Sequence, residues 1–251
     1  MPCPYKKNLI QHILSIMKPC TIVVVIAGTN NPSNSAVLAQ HFTEGIKTVD
    51  GIEVKIVHLN NLHITHFTIE RYNPACEADD DFCTIENTLR DAAGIVIASP
   101  IWNFSVPSHL KNLIDRMGAF ALDQETHSKG QLQSKPFALI YTGGAPMIAW
   151  KALMYLTTLH IAEALKYYGG TILYRHFEPK CVQGKGKFGL VVDKRLEILK
   201  AMNRAGAAFG NVALQYAQSG TLPFGSRFWH GWFSFLYRVG NRVMYPISTF
   251  Q

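Results

Sequence analysis

The chain has 251 residues, of which 48% are apolar and 16% charged, and its formal net charge is +7. This composition excludes a disordered chain, and no apolar run reaches the roughly 18 residues that a membrane span needs. The length fits one α/β domain with extensions. The positive charge suits phosphate-bearing ligands, anionic membranes or nucleic acid, but no nucleic-acid motif is present, so no nucleic-acid partner is expected.

Five short apolar segments alternate with five helical patterns. The predicted strands are 21–27, 52–59, 94–98, 137–141 and 171–174, and the predicted helices are 36–47, 84–92, 107–117, 150–168 and 193–216. Such alternation predicts a parallel sheet with helices on both faces, and ligand loops after the first, third and fourth strands suit the order 2-1-3-4-5. We therefore predict an N-terminal extension (1–19), an α/β domain (20–218) and a C-terminal extension (219–251), with Met17 as an alternative start.

The loop after the first strand, residues 28–35, is rich in hydroxyl and amide groups and opens a helix. Thr29, Ser33, Asn34 and Ser35 are candidate donors to a phosphate, because helix N-termini attract anions. The loop is neither a Walker A sequence nor G-x-G-x-x-G. Simple helix capping by the same residues is the alternative.

The loop after the third strand carries aromatic side chains to the carboxyl edge of the sheet. Trp102 and Phe104 follow a buried strand and precede a predicted helix. Aromatic rings in this position either stack on a planar ligand or fill the core. Both alternatives stay open at this point.

The loop after the fourth strand begins Thr142-Gly143-Gly144. Glycines allow a ligand to approach the backbone closely, and the backbone N–H groups can then donate to it. An ordinary turn is the alternative.

Taken in order, the motifs G-T-N-N-P-S-N-S, S-P-I-W-N-F-S-V-P-S-H-L-K-N-L-I-D-R and T-G-G resemble the NAD(P)H-dependent FMN reductase family of the flavodoxin-like superfamily. The resemblance covers roughly residues 20–216. It implies a flavodoxin-like fold with bound FMN, NADH or NADPH as co-substrate, and hydride transfer to flavin N5. Electrons then pass to a quinone, azo, metal or flavin acceptor, and the protein is a homodimer or homotetramer.

The resemblance also implies which residues bind the cofactor. It places Thr29, Asn31, Ser33, Asn34 and Ser35 at the phosphate, Pro100, Ile101, Trp102, Asn103 and Phe104 beside the isoalloxazine ring, and Thr142, Gly143 and Gly144 at its polar edge. Asn31 stands where Arg is common, Ile101 where Glu is frequent, and Trp102 where Tyr is frequent. These departures bear on the acceptor and on the choice of nicotinamide nucleotide. No catalytic side chain is assigned, because the cofactor performs the hydride step.

Two other function classes remain open: an FMN-binding electron carrier reduced by a protein partner, and a non-catalytic flavin-fold interaction protein. Lys180, Lys185 and Lys187 flank glycines and either meet the 2′-phosphate of NADPH or form a solvated basic loop. The aromatic and basic segment 224–246 packs on its own domain or a sister subunit, contacts a membrane surface, or binds another protein.

The remaining signals are weaker. The five cysteines are odd in number and form no CxxC pair, which favours a reducing compartment and a cytoplasmic location. Cys76 and Cys83 are too few for an iron–sulfur cluster, and a reversible disulfide is the alternative. His58, His63 and His66 match no known metal-ligand spacing, so no metal is expected.

Overall fold

The computed structural model describes residues 20–72, 80–185 and 187–223. Five parallel strands form one sheet in the order β2-β1-β3-β4-β5, which confirms the predicted flavodoxin-like topology. The strands are β1 (Cys20–Ile26), β2 (Ile52–His58), β3 (Gly94–Pro100), β4 (Pro136–Thr142) and β5 (Thr171–Glu178).

The central strands are buried on both faces, as their continuous β-branched and apolar sequences indicate. In β1, Val23 and Val25 face one hydrophobic cluster, while Ile22, Val24 and Ile26 face the other. β2 lies at the edge of the sheet and keeps Glu53 and Lys55 exposed, as its alternating pattern predicts.

Helices cover both faces of the sheet. They are α1 (Asn34–Ile46), α2 (Phe82–Asp91), α3 (Ser108–Ala121), α4 (Tyr155–Tyr167) and α5 (Leu196–Ser219). α1 and α5 share one cluster of buried residues, and α2, α3 and α4 share the other. Short 3₁₀ turns cover Leu59–Asn61, Ile69–Tyr72 and Val192–Lys194.

The predicted element boundaries differ from the structure mainly at the carboxyl edge of the sheet. β3 extends to Pro100 and β5 to Glu178, because both strands continue pairing with β4 beyond their apolar cores. The predicted helix 150–168 is interrupted. A short helical turn (Met147–Ala149) precedes it, and its first five residues form a π-helical turn (Trp150–Met154). π-Helical turns occur often at functional sites, and this one follows directly on the loop after β4.

The predicted N-terminal extension (1–19) and residues 224–251 of the predicted C-terminal extension (219–251) lie outside the described residues, and so does the proposed role of the segment 224–246. Among the helices of the described ranges, none is long and apolar enough to cross a membrane. Cys20 and Cys181 have free thiols. Cys83 is disulfide-bonded.

Candidate flavin-binding site

A cleft opens at the carboxyl edge of the sheet, where the strand order reverses between β1 and β3. In doubly wound sheets this is where ligands bind. The loops after four strands meet here, and none of the lining residues carries a charge. The lining residues are Gly28, Asn30, Ser33, Asn34, Pro100, Ile101, Trp102, Thr142, Gly143, Gly144, Cys181, Val182, Phe188 and Gly189.

The loop after β1 caps α1 and also reaches the cleft. Ser33 is the N-cap, and its Oγ accepts a hydrogen bond from the Ala36 N–H at 3.4 Å. The Oγ atoms of Ser33 and buried Ser35 lie 3.0 Å apart. The capping role is therefore confirmed, while phosphate binding stays a prediction. Of the predicted phosphate residues, only Ser33 and Asn34 line the cleft, and Asn30 lines it in addition.

The side chain of Asn34 is already used for another purpose. Its Nδ2 donates to the Gly189 carbonyl at 2.9 Å, and its Oδ1 accepts from the Val191 and Val192 N–H groups at 2.9 and 3.2 Å. Asn34 therefore anchors the chain that follows β5 against the start of α1. The Asn34 Nδ2 carries two hydrogens, and one of them is used in this contact.

The loop after β3 places one aromatic residue at the cleft and another outside it. Trp102 and Ser105 exchange backbone hydrogen bonds of 2.8 and 2.9 Å. The two residues between them, Asn103 and Phe104, have φ values of 48° and 68°, as in a type I′ turn. Phe104 is 59% exposed, so it does not fill the core. Pro100, Ile101 and half-buried Trp102 form a wall of the cleft, whereas Asn103 and Phe104 do not line it.

The loop after β4 lies deep in the cleft and is fixed on both sides. The Gly143 N–H donates to the Glu178 carbonyl at 3.0 Å, and the Gly143 carbonyl accepts from the Cys181 N–H at 2.9 Å. A side chain at Gly143 would begin 2.9 Å from the Phe177 ring. That ring is stacked on Trp150 with a centroid distance of 4.1 Å. The contact with Phe177 therefore requires a glycine at this position, and the Gly143 N–H is already donated to Glu178. The predicted approach of a ligand to this backbone stays a prediction.

The segment after β5 completes the cleft through residues that the sequence did not predict as part of a site, although lysines of this segment were candidates for the 2′-phosphate of NADPH. We call residues 181–185 and 187–190 the strap. Cys181, Val182, Phe188 and Gly189 line the cleft from this segment. Burial raises the pKa of the Cys181 thiol to about 11, so the thiol stays protonated at neutral pH. The glycine- and lysine-rich sequence of the strap was visible, but only the tertiary fold brings it over the loop after β4.

A buried ion pair fixes the base of the strap. Arg195 binds the Glu178 carboxylate and donates to the Pro179 and Lys180 carbonyls at 2.7 and 2.9 Å. His176 lies 3.0 Å from the same carboxylate. Burial would raise the pKa of Glu178, but hydrogen bonds from His176 and Arg195 hold this pKa below its ordinary value. The carboxylate therefore remains ionised and keeps Arg195 in place.

His109, in the first turn of α3, connects two of the cleft loops. Its Nε2 lies 2.9 Å from the Ala27 carbonyl at the end of β1. A carbonyl only accepts, so Nε2 carries the proton in this contact. His109 thus positions the loop after β1 relative to the start of α3. Elsewhere in the described ranges, no group of three or more potential metal ligands is found.

The residues of the cleft fit FMN. Neutral hydroxyl and amide groups at a helix N-terminus suit a phosphate, and the apolar wall at Ile101 and Trp102 suits a flat ring system. The backbone of Gly143 and Gly144 packs closely on the cleft wall, because a Cβ would lie 2.9 Å from the Phe177 ring at Gly143 and 3.1 Å from Val182 at Gly144. All three features belong to one cleft rather than to separate surfaces.

Residues 21–166 match the protein family described as NADPH-dependent FMN reductase. The chain is 24% identical over 199 residues to an FMN-dependent NADH:quinone oxidoreductase of Metamycoplasma arthritidis, which covers 68% of this chain and 100% of that protein. A Shewanella protein of the same description is 45% identical over 64 residues, or 24% of this chain and 32% of that protein. The fold is similar to the crystal structure of an azoreductase from Bacillus anthracis, with a TM-score of 0.56 and 16% identity over 76% of this chain and 98% of that chain.

The sheet order defines a flavodoxin-like protein, and its cleft lies at the carboxyl edge of the sheet. The match over more than half of its length shows that the chain belongs to the NADPH-dependent FMN reductase family. It is an NAD(P)H-dependent oxidoreductase with FMN as its cofactor.

Proposed function

We propose that the protein is an NAD(P)H:quinone oxidoreductase, which reduces a flat, uncharged, conjugated acceptor. The observation that carries this proposal is the chemistry of the cleft. Its lining has no charged side chain, and Ile101, Trp102 and Phe188 are apolar or aromatic. Such a surface favours a quinone over a metal ion, which would need charged or strongly polar ligands. The quinone oxidoreductases of similar sequence support the same acceptor class.

The protein contributes binding and orientation to this reaction. Bound FMN would supply the redox chemistry, accepting a hydride from NAD(P)H and passing two electrons to the acceptor. Asn30 and Ser33 are proposed to bind the phosphate together with the N-terminus of α1. Trp102 is proposed to contact the ring system, and the backbone of Gly143 and Gly144 to approach its polar edge. Exclusion of water by the apolar wall would limit wasteful reaction of the reduced cofactor.

An anaerobic titration tests the proposal. We expect the purified protein to bind FMN, to lose flavin absorbance on addition of NADH or NADPH, and to recover it on addition of a benzoquinone or naphthoquinone. An azo dye, ferric citrate and free FMN serve as comparison acceptors. Faster turnover of ferric citrate or free FMN than of every quinone would refute the acceptor assignment. Reduction by neither nucleotide, with FMN bound, would instead favour the electron-carrier alternative.

We also propose that two copies of the chain associate through an apolar face beside the cleft. Ile148, Leu153 and Leu156 are 82%, 59% and 64% exposed, and Met147 is 38% exposed. Phe104 belongs to the same region, because the Thr157 hydroxyl donates to its carbonyl. Contiguous exposed apolar residues of this kind mark interaction sites. The face is continuous with the loops after β3 and β4, so a second copy would also border the cleft.

Sedimentation of charged variants tests this association. Ile148→Glu and Leu156→Glu are expected to convert a dimer or tetramer into monomers. Leu196→Glu is the matched control, since Leu196 is equally exposed at 64% but lies at the start of α5. A wild-type protein that sediments as a monomer at micromolar concentration would refute the proposal.

A further inference from the structure

The turn between β5 and the strap, residues 178–181, is held together by one arginine. Glu178 ends β5 and is buried. Arg195 binds its carboxylate and also donates to the carbonyls of Pro179 and Lys180. Lys180 has a φ of 52°, in the left-handed region that residues other than glycine rarely adopt. The guanidinium group therefore fixes both the carboxylate and the backbone of a turn that is unfavourable by itself.

The loop after β4 is hydrogen-bonded to this turn on both sides of Gly144. On one side, the Gly143 N–H donates to the Glu178 carbonyl at 3.0 Å, and the Gly143 carbonyl accepts from the Cys181 N–H at 2.9 Å. On the other side, the Ala145 carbonyl accepts an N–H of the same turn at 3.1 Å. The position of the loop is therefore set by the turn after β5 as well as by β4.

Gly144 has a backbone donor that remains available to a ligand. Gly144 lines the cleft, and within the residues that the structure describes its N–H has no protein acceptor. Because its neighbours Gly143 and Ala145 are both anchored, the direction of this N–H is fixed before a ligand arrives. A donor fixed in advance binds a ligand without the entropic cost of ordering the loop.

The ion pair itself does not reach the cleft. Neither Glu178 nor Arg195 lines it, whereas Gly143 and Gly144 do. Any influence of the pair on a ligand in the cleft must therefore pass through the backbone that the pair holds. Loss of Arg195 would leave a buried carboxylate with only His176 beside it, and the turn would have to rearrange.

We propose that Glu178 and Arg195 are positioning residues of the flavin site, which direct the Gly144 N–H toward the polar edge of the isoalloxazine ring. This inference rests on the proposed function, which places Gly143 and Gly144 beside that edge. The pair acts on FMN affinity through the turn 178–181, without touching the cofactor. A fixed N–H donor at the polar edge favours the reduced ring over the oxidised ring, because the reduced ring carries more negative charge there.

A second buried ion pair in the same chain supplies a matched control. Asp80 binds Arg116, and the two side chains are 0% and 4% exposed. Asp80 also accepts hydrogen bonds from the Thr65 hydroxyl and the Phe82 N–H. None of these four residues lines the cleft. Removal of the Asp80 charge should therefore lower stability without moving the loop after β4.

Release of FMN from the loaded protein on dilution, followed by flavin fluorescence, compares Glu178→Gln, Arg195→Gln and Asp80→Asn. All three variants should melt at a lower temperature in excess FMN, because each breaks a buried ion pair. Only the first two should bind FMN more weakly, by about ten-fold, as for the loss of one well-placed hydrogen bond. The double variant at residues 178 and 195 should bind FMN about as well as either single variant, since the two side chains act as one unit.

The reduction potential of bound FMN is a readout that a change in stability alone would not move. It should fall in Glu178→Gln and Arg195→Gln, because the reduced cofactor loses more affinity than the oxidised cofactor. A ten-fold difference between these two losses corresponds to about 30 mV for a two-electron couple. The potential should be unchanged in Asp80→Asn.

Arg195→Lys separates the charge from the geometry of the guanidinium group. Lysine keeps the positive charge beside Glu178, but its single ammonium group does not reproduce the planar fork that also holds two carbonyls. FMN affinity and potential should therefore change in the same direction as in Arg195→Gln, by a smaller amount. This variant also decides the proposal if the glutamine variants fail to fold, since wild-type values in Arg195→Lys would overturn it.

Unchanged FMN affinity and potential in Glu178→Gln and Arg195→Gln would overturn the proposal, and so would equal changes in Asp80→Asn. Failure of the proposed function looks different: the wild-type protein would then reduce no quinone. The affinity and the potential of bound FMN are measured without an acceptor, so they still decide the role of the ion pair.

Discussion

The substitution Gly143→Ala places one methyl group where the structure has no room for it. The new Cβ would lie 2.9 Å from the Phe177 ring, whereas ordinary contacts begin at 3.4 Å, so a displacement of about 0.5 Å is required. Phe177 cannot yield easily, because it is 5% exposed and stacked on Trp150. Overpacking of this kind lowers the free energy of unfolding by about 1–3 kcal/mol. The backbone of the loop would be pushed toward the cleft.

We therefore expect Gly143→Ala to lower the melting temperature by about 2–4 °C for each kcal/mol lost and to weaken FMN binding. Thermal unfolding with and without FMN separates the two effects, because a ligand stabilises the folded state in proportion to its affinity. Gly184→Ala is the control, since its Cβ would meet nothing closer than 4.0 Å. Unchanged melting and unchanged FMN affinity in Gly143→Ala would refute the reasoning.

Three further predictions concern stability, each measured by urea unfolding. Gly206→Ala should lower the free energy of unfolding by about 3 kcal/mol or more, because the new Cβ would lie 1.9 Å from the Phe42 carbonyl where α1 and α5 cross. A decrease below about 1 kcal/mol, as for an ordinary surface substitution, would contradict that packing. Burial lowers the pKa of Lys135 to about 8 from 10.5, so the unfolded chain binds more protons between these values and the free energy of unfolding should rise with pH there. Lys135→Met should abolish this component of the rise, and an unchanged pH profile would contradict the assignment. Phe104→Asn should raise the free energy of unfolding by about 0.5–1 kcal/mol, because Asn tolerates the positive φ of 68° better than Phe does. A variant less stable than the wild type would show instead that the exposed Phe104 ring contributes packing.

Local sequence determined the topology and the place of the site. β-Branched runs such as Val23–Val25 are typical of strands buried on both faces, and the helices between them require right-handed crossovers. Once that order is fixed, ligand loops must meet at the carboxyl edge of the sheet. The motifs after β1, β3 and β4 are therefore assigned to one site by the amino-acid sequence alone.

Tertiary packing decided which residues of those motifs face the cleft. Asn34 lines the cleft as predicted, but its Oδ1 and one hydrogen of its Nδ2 also hold the strap, 155 residues later in the chain. Phe104 follows Trp102 by two residues, yet a turn with two positive φ values carries it out of the cleft. Phe188 shows no motif at all and enters the cleft because β5 ends beside β4 and the chain returns to α1. Spacing along the chain predicts which loops converge, because strand order is a local consequence of the alternating pattern. It does not predict where individual side chains point, since hydrogen bonds between distant segments set that direction.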